Sequence, residues 1–180
     1  MDKFIIDGGR RLFGEVRLQS AKNSVLPLFA ASVLTESKVT ILDTPEISDA
    51  LCMAQILREL GADVSFHGSN VVIDSANADS HEISSTLTKE LRSSVFMLGS
   101  LLTRFHRARI AYPGGCDIGL RPIDLHLNAL KRLGVDIIER DGYILCECKE
   151  LRGAEILLDF PSVGATENIM LAGVCASGTT

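Results

Sequence analysis

The sequence predicts an α/β fold assembled from a repeated α-β-α-β-β unit. The run Ile56-Leu57-Arg58-Glu59-Leu60-Gly61-Ala62-Asp63-Val64 has a counterpart in Ala129-Leu130-Lys131-Arg132-Leu133-Gly134-Val135-Asp136-Ile137, with Gly61 and Gly134 lying 73 residues apart. In each copy an apolar-striped helix ends at a glycine suited to left-handed backbone, and alternating strands follow. A polar entry leading into an apolar helical run also recurs, at 20–34, 88–105 and 162–177. Two whole units and the opening of a third therefore fit the chain.

Taken in order, the helix over 20–34 leads into a strand at 38–42. A second helix runs to Gly61, and strands at 63–67 and 71–74 flank the turn His67-Gly68-Ser69-Asn70. The second unit repeats this: helix 88–105, strand 109–112, a helix opening near Pro122, and strands 136–140 and 143–148 around Arg140-Asp141-Gly142. Short glycine turns between such strands read as hairpins. The third helix covers 162–177, with Gly178-Thr179-Thr180 where the next strand should begin. A third helix without its strands leaves an apolar face and an open sheet edge, and repeat arrays end in polar caps. The chain is therefore expected to be part of a longer protein.

With 180 residues and 46% hydrophobic content, the chain can bury a sizeable core. The formal net charge of −5 and the absence of Trp argue against nucleic acid as a partner. The first residues alternate rather than forming an apolar signal core, so no targeting segment is read. The apolar run 95–102 is too short to span a bilayer. Five cysteines, an odd count, suit reduced thiols in a cytosol. Cys146 and Cys148 share a face if they lie in a strand, and lack a second ligand pair; they are read as packing residues rather than metal ligands.

The segment Pro113-Gly114-Gly115-Cys116-Asp117-Ile118-Gly119-Leu120-Arg121-Pro122 should be a loop, because its glycines and prolines suit neither helix nor central strand. A thiol there can serve as a nucleophile or proton donor if nearby positive charge lowers its pKa, and Arg121 could supply that charge. Lys22, in Ser20-Ala21-Lys22-Asn23-Ser24, sits at a helix start, where free N–H groups favour anions. Arg92 opens a later helix 70 residues on, with a guanidinium suited to phosphate or carboxylate. Asp49 and Asp124 occupy similar places at two helix openings. Pro122 suits a first helical position. His126 is read as a satisfied polar contact or a ligand hydrogen bond. Ser162-Val163-Gly164-Ala165-Thr166 is a small-residue helix entry, open to ligand approach or close packing alike.

Taken together, these residues resemble the UDP-N-acetylglucosamine 1-carboxyvinyltransferases. The matching motifs are Ala21-Lys22-Asn23 with Leu26-Pro27, Asp49, Leu91-Arg92-Ser93-Ser94, Pro113-Gly114-Gly115-Cys116, Arg121-Pro122-Ile123-Asp124-Leu125-His126 and Ser162-Val163-Gly164-Ala165-Thr166. The resemblance covers the whole chain, which corresponds to less than half of a family member. It implies an inside-out α/β barrel, here about two and a half repeats. Residues 1–21 would belong to a second domain, and 22–180 would form the catalytic-loop domain, cut in its third repeat. It implies transfer of enolpyruvyl from phosphoenolpyruvate to the 3′-hydroxyl of UDP-N-acetylglucosamine by addition and elimination. That reaction is the first committed step of peptidoglycan synthesis, in the cytoplasm, and it needs no metal or organic cofactor.

By the same resemblance Cys116 would protonate the methylene carbon of phosphoenolpyruvate and be the site alkylated by fosfomycin. Lys22, Arg92 and Arg121 would hold phosphate and carboxylate, and Lys22 would also take part in catalysis. Asn23 would contact the sugar and the tetrahedral intermediate. Residues Arg121, Pro122, Ile123, Asp124, Leu125 and His126, with Ser162, Val163 and Gly164, would line the uridine-diphosphate side. Asp49 would be a conformational or phosphate-site partner. Asp159-Phe160-Pro161 departs from the basic residue often found there in the family. A carboxylate and further arginines of the missing C-terminal domain would complete the site, so the 180-residue chain alone is expected to be inactive. Two other readings stay open: a fragment or nucleotide-sugar-binding module without turnover, and a sister enolpyruvyl transferase of shikimate metabolism. Cys116 and Ala21-Lys22-Asn23 argue against the last.

Overall fold

The computed structural model describes residues 3–18, 20–114 and 123–180. The first unit contains α1 (Lys22–Ala31), β1 (Val39–Ile41), α2 (Ser48–Glu59), β2 (Asp63–His67) and β3 (Asn70–Asp74). The second contains α3 (Ser85–Glu90), α4 (Met97–Phe105), β4 (Arg107–Ala111), α5 (Asp124–Arg132), β5 (Asp136–Arg140) and β6 (Tyr143–Glu147). The third opens with α6 (Val163–Gly173). The predicted unit order holds, with two corrections. The helix expected over 88–105 is broken: Leu91 is extended, and a 3₁₀ turn, Arg92–Phe96, leads into α4. The helix expected over 20–34 is also shorter, ending as α1 at Ala31 before a 3₁₀ turn.

The two glycine stops behave alike. Gly61 (φ +97°) and Gly134 (φ +90°) adopt left-handed backbone. Ala62 N–H bonds the Leu57 carbonyl at 2.9 Å and Gly61 N–H that of Arg58 at 3.0 Å. Val135 to Leu130 (3.2 Å) and Gly134 to Lys131 (3.1 Å) repeat the pattern. Both are Schellman caps, which satisfy carbonyls left over at a helix end. The hairpins close on two-residue loops, His67 opposite Asn70 and Arg140 opposite Tyr143. Asp141 and Gly142 are both at positive φ, the demand of a type I′ turn.

Each unit's strands form an antiparallel sheet with the third strand in the middle, β1-β3-β2 and β4-β6-β5. Alternation buries Val71 and Ile73 of β3, and Ile144 and Cys146 of β6, on the inward faces. Cys146 is thus a packing residue; burial pushes its thiol up to about 12. Cys148 follows, half-buried, against the core. Helices α1, α4 and α6 pack on one another at the centre, where Phe29, Ala30, Leu98, Leu101, Leu102 and Ala172 are fully buried.

The chain leaving each hairpin docks on the first strand of the next unit. Arg109 N–H bonds the His81 carbonyl and Ile83 N–H the Arg109 carbonyl. Gly153 N–H and the Ser177 carbonyl, and Ser177 N–H and the Leu151 carbonyl, form the equivalent bridge. After α6 this isolated bridge at Ser177 stands in place of an assigned strand among the described residues. Residues 3–18 form neither helix nor strand and are exposed, with Arg17 paired to Asp43 at 3.8 Å. Among the described residues no helix is long and apolar enough to cross a membrane.

Candidate functional site

Lys22, Arg92 and Ser162 open the three central helical segments, at positions 22, 92 and 162, a constant spacing of 70. The 3₁₀ turn holding Arg92 touches both α1 and α6, and its Phe96 ring lies against Gly164 at the start of α6. Helix starts carry partial positive charge and unpaired N–H groups. A lysine and an arginine added there make a place for anionic oxygens.

Lys22 is half-exposed, and its Nζ meets Asp49 Oδ1 at 2.6 Å. Asp49 lies in the first turn of α2, where a carboxylate complements the helix dipole. The two were singled out separately in the sequence; α1 packing on α2 brings them together. Asn23 follows on the same turn of α1 and is exposed.

His126 lies in the first turn of α5 and is 9% exposed. Burial, followed by the nearby Arg92 cation, pushes its pKa down to about 4, with Asp124 acting weakly the other way. The ring is neutral at pH 7. Its Nδ1 stands 3.2 Å from the side-chain nitrogen of Asn168. Asp124 is exposed, Ile123 is buried in the core, and Leu125 is half-buried. Leu125 lines a groove of about 380 Å³ between α5 and residues 155–159, with Asn128, Arg132 and Asp159.

Ser162 caps α6, its hydroxyl accepting from Ala165 N–H at 3.2 Å. Val163 is exposed. A methyl carbon built on Gly164 would stand 3.3 Å from His126 Cε1, 3.5 Å from its Nε2 and 3.4 Å from the Phe96 ring. The small-residue entry is therefore used for close packing against His126. The structure thus joins Arg92, His126, Ser162 and Gly164 in one region and pairs Lys22 with Asp49. Cys116, Arg121 and Pro122 lie outside the described residues. A larger concavity, about 580 Å³ and lined by Arg17, Thr44 and Glu46 among others, holds none of the residues singled out in the sequence.

Asn168 is the residue that sequence reasoning missed. It is fully buried and joins three segments. Its oxygen accepts from Gly99 N–H at 2.8 Å, and its nitrogen donates to the Val95 carbonyl at 3.1 Å and faces His126. The signal was an amide in an otherwise apolar helix, on the face that buries Ala165, Leu171 and Ala172. A buried amide calls for partners.

The family model for EPSP synthase (3-phosphoshikimate 1-carboxyvinyltransferase) matches residues 6–180, and the chain belongs to this family of enolpyruvyl transferases. Within it, the chain is 51% identical over 180 residues to the UDP-N-acetylglucosamine 1-carboxyvinyltransferase 2 of Caldanaerobacter subterraneus subsp. tengcongensis, matching 100% of this chain and 43% of that protein. It is 45% identical over 182 residues to the like-named protein of Clostridium tetani, matching 100% of this chain and 44% of that one. The chain thus spans less than half the length of these curated relatives. Among solved structures it superposes on the enolpyruvyl transferase NikO from Streptomyces tendae with a TM-score of 0.79 at 24% identity, over 95% of this chain and 40% of that one. EPSP synthase from Acinetobacter baumannii gives 0.65 at 20% identity, over 92% and 39%. These two likenesses establish the shared fold.

Proposed function

We propose that this chain supplies the Cys116-bearing part of an enzyme that transfers enolpyruvyl from phosphoenolpyruvate to the 3′-hydroxyl of UDP-N-acetylglucosamine. The observation that carries the reading is the meeting of Arg92, neutral His126 and the Ser162–Gly164 entry of α6 in one region, with Lys22 paired to Asp49 at the start of α1. The names of the relatives support the choice of acceptor over a shikimate substrate. Residues 22–180 form this part, and residues 1–21 pack with a second domain.

In this reading Lys22, Arg92 and Arg121 bind the phosphate and carboxylate of phosphoenolpyruvate. Cys116 gives its proton to the methylene carbon, the sugar hydroxyl adds to the adjacent carbon, and loss of phosphate with return of a proton restores the double bond. Asn23 faces the sugar, and Asp49 keeps Lys22 aimed. Ile123, Asp124, Leu125 and His126, with Pro122, Ser162, Val163 and Gly164, line the nucleotide. The residues that take the hydroxyl proton come from outside these 180 residues. The setting is cytoplasmic peptidoglycan synthesis, which serves cell shape and division.

The test is intact-mass measurement after fosfomycin treatment with UDP-N-acetylglucosamine present, with peptide mapping. Selective modification of Cys116 over the other four cysteines is expected. Uniform or absent labelling in the full-length gene product overturns the reading. Phosphate release in that product should depend on UDP-N-acetylglucosamine and not on shikimate 3-phosphate.

A further inference from the structure

The carbonyl of Val95 and the N–H of Gly99 stand four residues apart, the spacing that closes a regular α-helical turn. Here both engage the side chain of Asn168, where the 3₁₀ turn passes into α4. This fixes which way the amide points. Only an oxygen can accept from Gly99, so the nitrogen faces Val95 and His126. An amide nitrogen donates and cannot accept, so His126 Nδ1 must accept at 3.2 Å. The remaining proton of the neutral ring then sits on Nε2, beside Gly164. The Ser162 hydroxyl accepts from the Ala165 N–H of its own cap. Nε2–H is therefore a side-chain donor held at the entry of α6, near Arg92.

We propose that Asn168 is a positioning residue that acts through His126, holding the ring as the Nε2–H tautomer so that it donates to an acceptor oxygen of the bound nucleotide sugar. The chemical logic is that of a histidine whose second nitrogen is fixed by a hydrogen bond, here supplied by an amide rather than a carboxylate. An amide fixes the tautomer without adding a negative charge that would favour the imidazolium. Arg92 on the 3₁₀ turn and Asp124 on α5 are the charged groups that act on the ring. The assignment of ligand rests on the proposed function; the tautomer does not.

The experiment is ¹⁵N NMR of the histidine rings in the full-length gene product at pH 7. His126→Gln identifies its resonance among those of the other histidines. Wild type should show a neutral His126 protonated on Nε2, and UDP-N-acetylglucosamine should shift that signal. Asn168→Asp keeps the size and the acceptor for Gly99 but takes away the donor to Nδ1. It should move the His126 proton to Nδ1 or charge the ring, and weaken UDP-N-acetylglucosamine binding about tenfold with KM raised more than kcat is lowered. An Nδ1–H ring or an imidazolium in wild type overturns the proposal, whether or not any variant folds. An Asn168→Asp protein with unchanged tautomer and affinity also overturns it, leaving Asn168 as a purely structural link. The expected tautomer with no binding of UDP-N-acetylglucosamine supports the amide–imidazole assignment and overturns the functional reading instead.

Discussion

Lys22 and Asp49 meet partly exposed at a helix start, where an ion pair contributes little to folding, about 0–1 kcal/mol. In the proposed function its weight falls on chemistry instead. Asp49→Asn should leave the thermal midpoint within a few degrees of the parent while lowering kcat/KM for phosphoenolpyruvate by about 10- to 100-fold, from loss of a charge-assisted contact that aims the ammonium. Calorimetry and steady-state kinetics on the full-length gene product check the two halves. His126 allows a second test by pH. Its folded pKa of about 4 lies below the 6.5 of an unperturbed histidine. Above pH 6.5 both folded and unfolded forms are neutral there, and the ring costs nothing. As pH falls from about 6.5 toward 4 the unfolded chain takes up the proton first, so stability declines by up to about 1.4 kcal/mol per pH unit. His126→Gln should flatten the slope over that window in urea titrations; an unchanged slope would contradict the neutral, buried ring.

At the scale of elements, α4 is held on both sides. On one side Gly99 lets α6 come close: a methyl carbon there would lie 2.5 Å from the Asn168 side-chain oxygen and 2.6 Å from its backbone carbonyl oxygen. Gly99→Ala should cost about 1–3 kcal/mol by overpacking, measured by urea unfolding, and the loss should exceed that of Gly8→Ala, where a methyl carbon meets open space. On the other side Arg104 reaches back into the first unit. Its guanidinium donates to the carbonyls of Val33 (3.1 Å), Thr35 (3.3 Å), Ser75 (2.7 Å) and Ala78 (3.3 Å). These carbonyls come from the end of the α1 segment and the turn after β3, so one side chain ties two units together. Arg104→Met should cost about 2–4 kcal/mol, since hydrogen bonds to charged groups are the stronger ones. Arg104→Lys should recover only part of it, because a point charge cannot replace a planar fork.

At the scale of the whole molecule, many apolar side chains stay exposed, one of them at the start of α6. Phe4, Ile5, Leu12 and Phe13 of the N-terminal segment, Val163 and Met170 of α6, and Val174 just after it, are largely exposed. Apolar side chains in such number are stable when another surface covers them. The 180-residue chain by itself should release no phosphate from phosphoenolpyruvate with UDP-N-acetylglucosamine. Adding the rest of the family-length protein should restore turnover, and a colorimetric phosphate assay on both reads the difference directly.

The sequence by itself determined the repeat, the hairpins and the helix stops. Each depends on contacts only a few residues long, and glycine at positive φ leaves a mark at one position, as Gly61 and Gly134 do. It also disclosed most of the candidate site, because Lys22, Arg92, His126 and Ser162 are polar residues at helix openings that local structure alone makes conspicuous. Two matters were decided only in three dimensions. The break at Leu91 was hidden because the apolar run through 95–102 has helical character throughout, whereas packing against α6 and the bonds of Asn168 to Val95 and Gly99 set where the turn changes. The role of Asn168 was hidden for the same reason: its partners lie 42 to 73 residues away. A hydrogen bond across that distance is fixed by how helices pack, and no short window of sequence contains both of its ends.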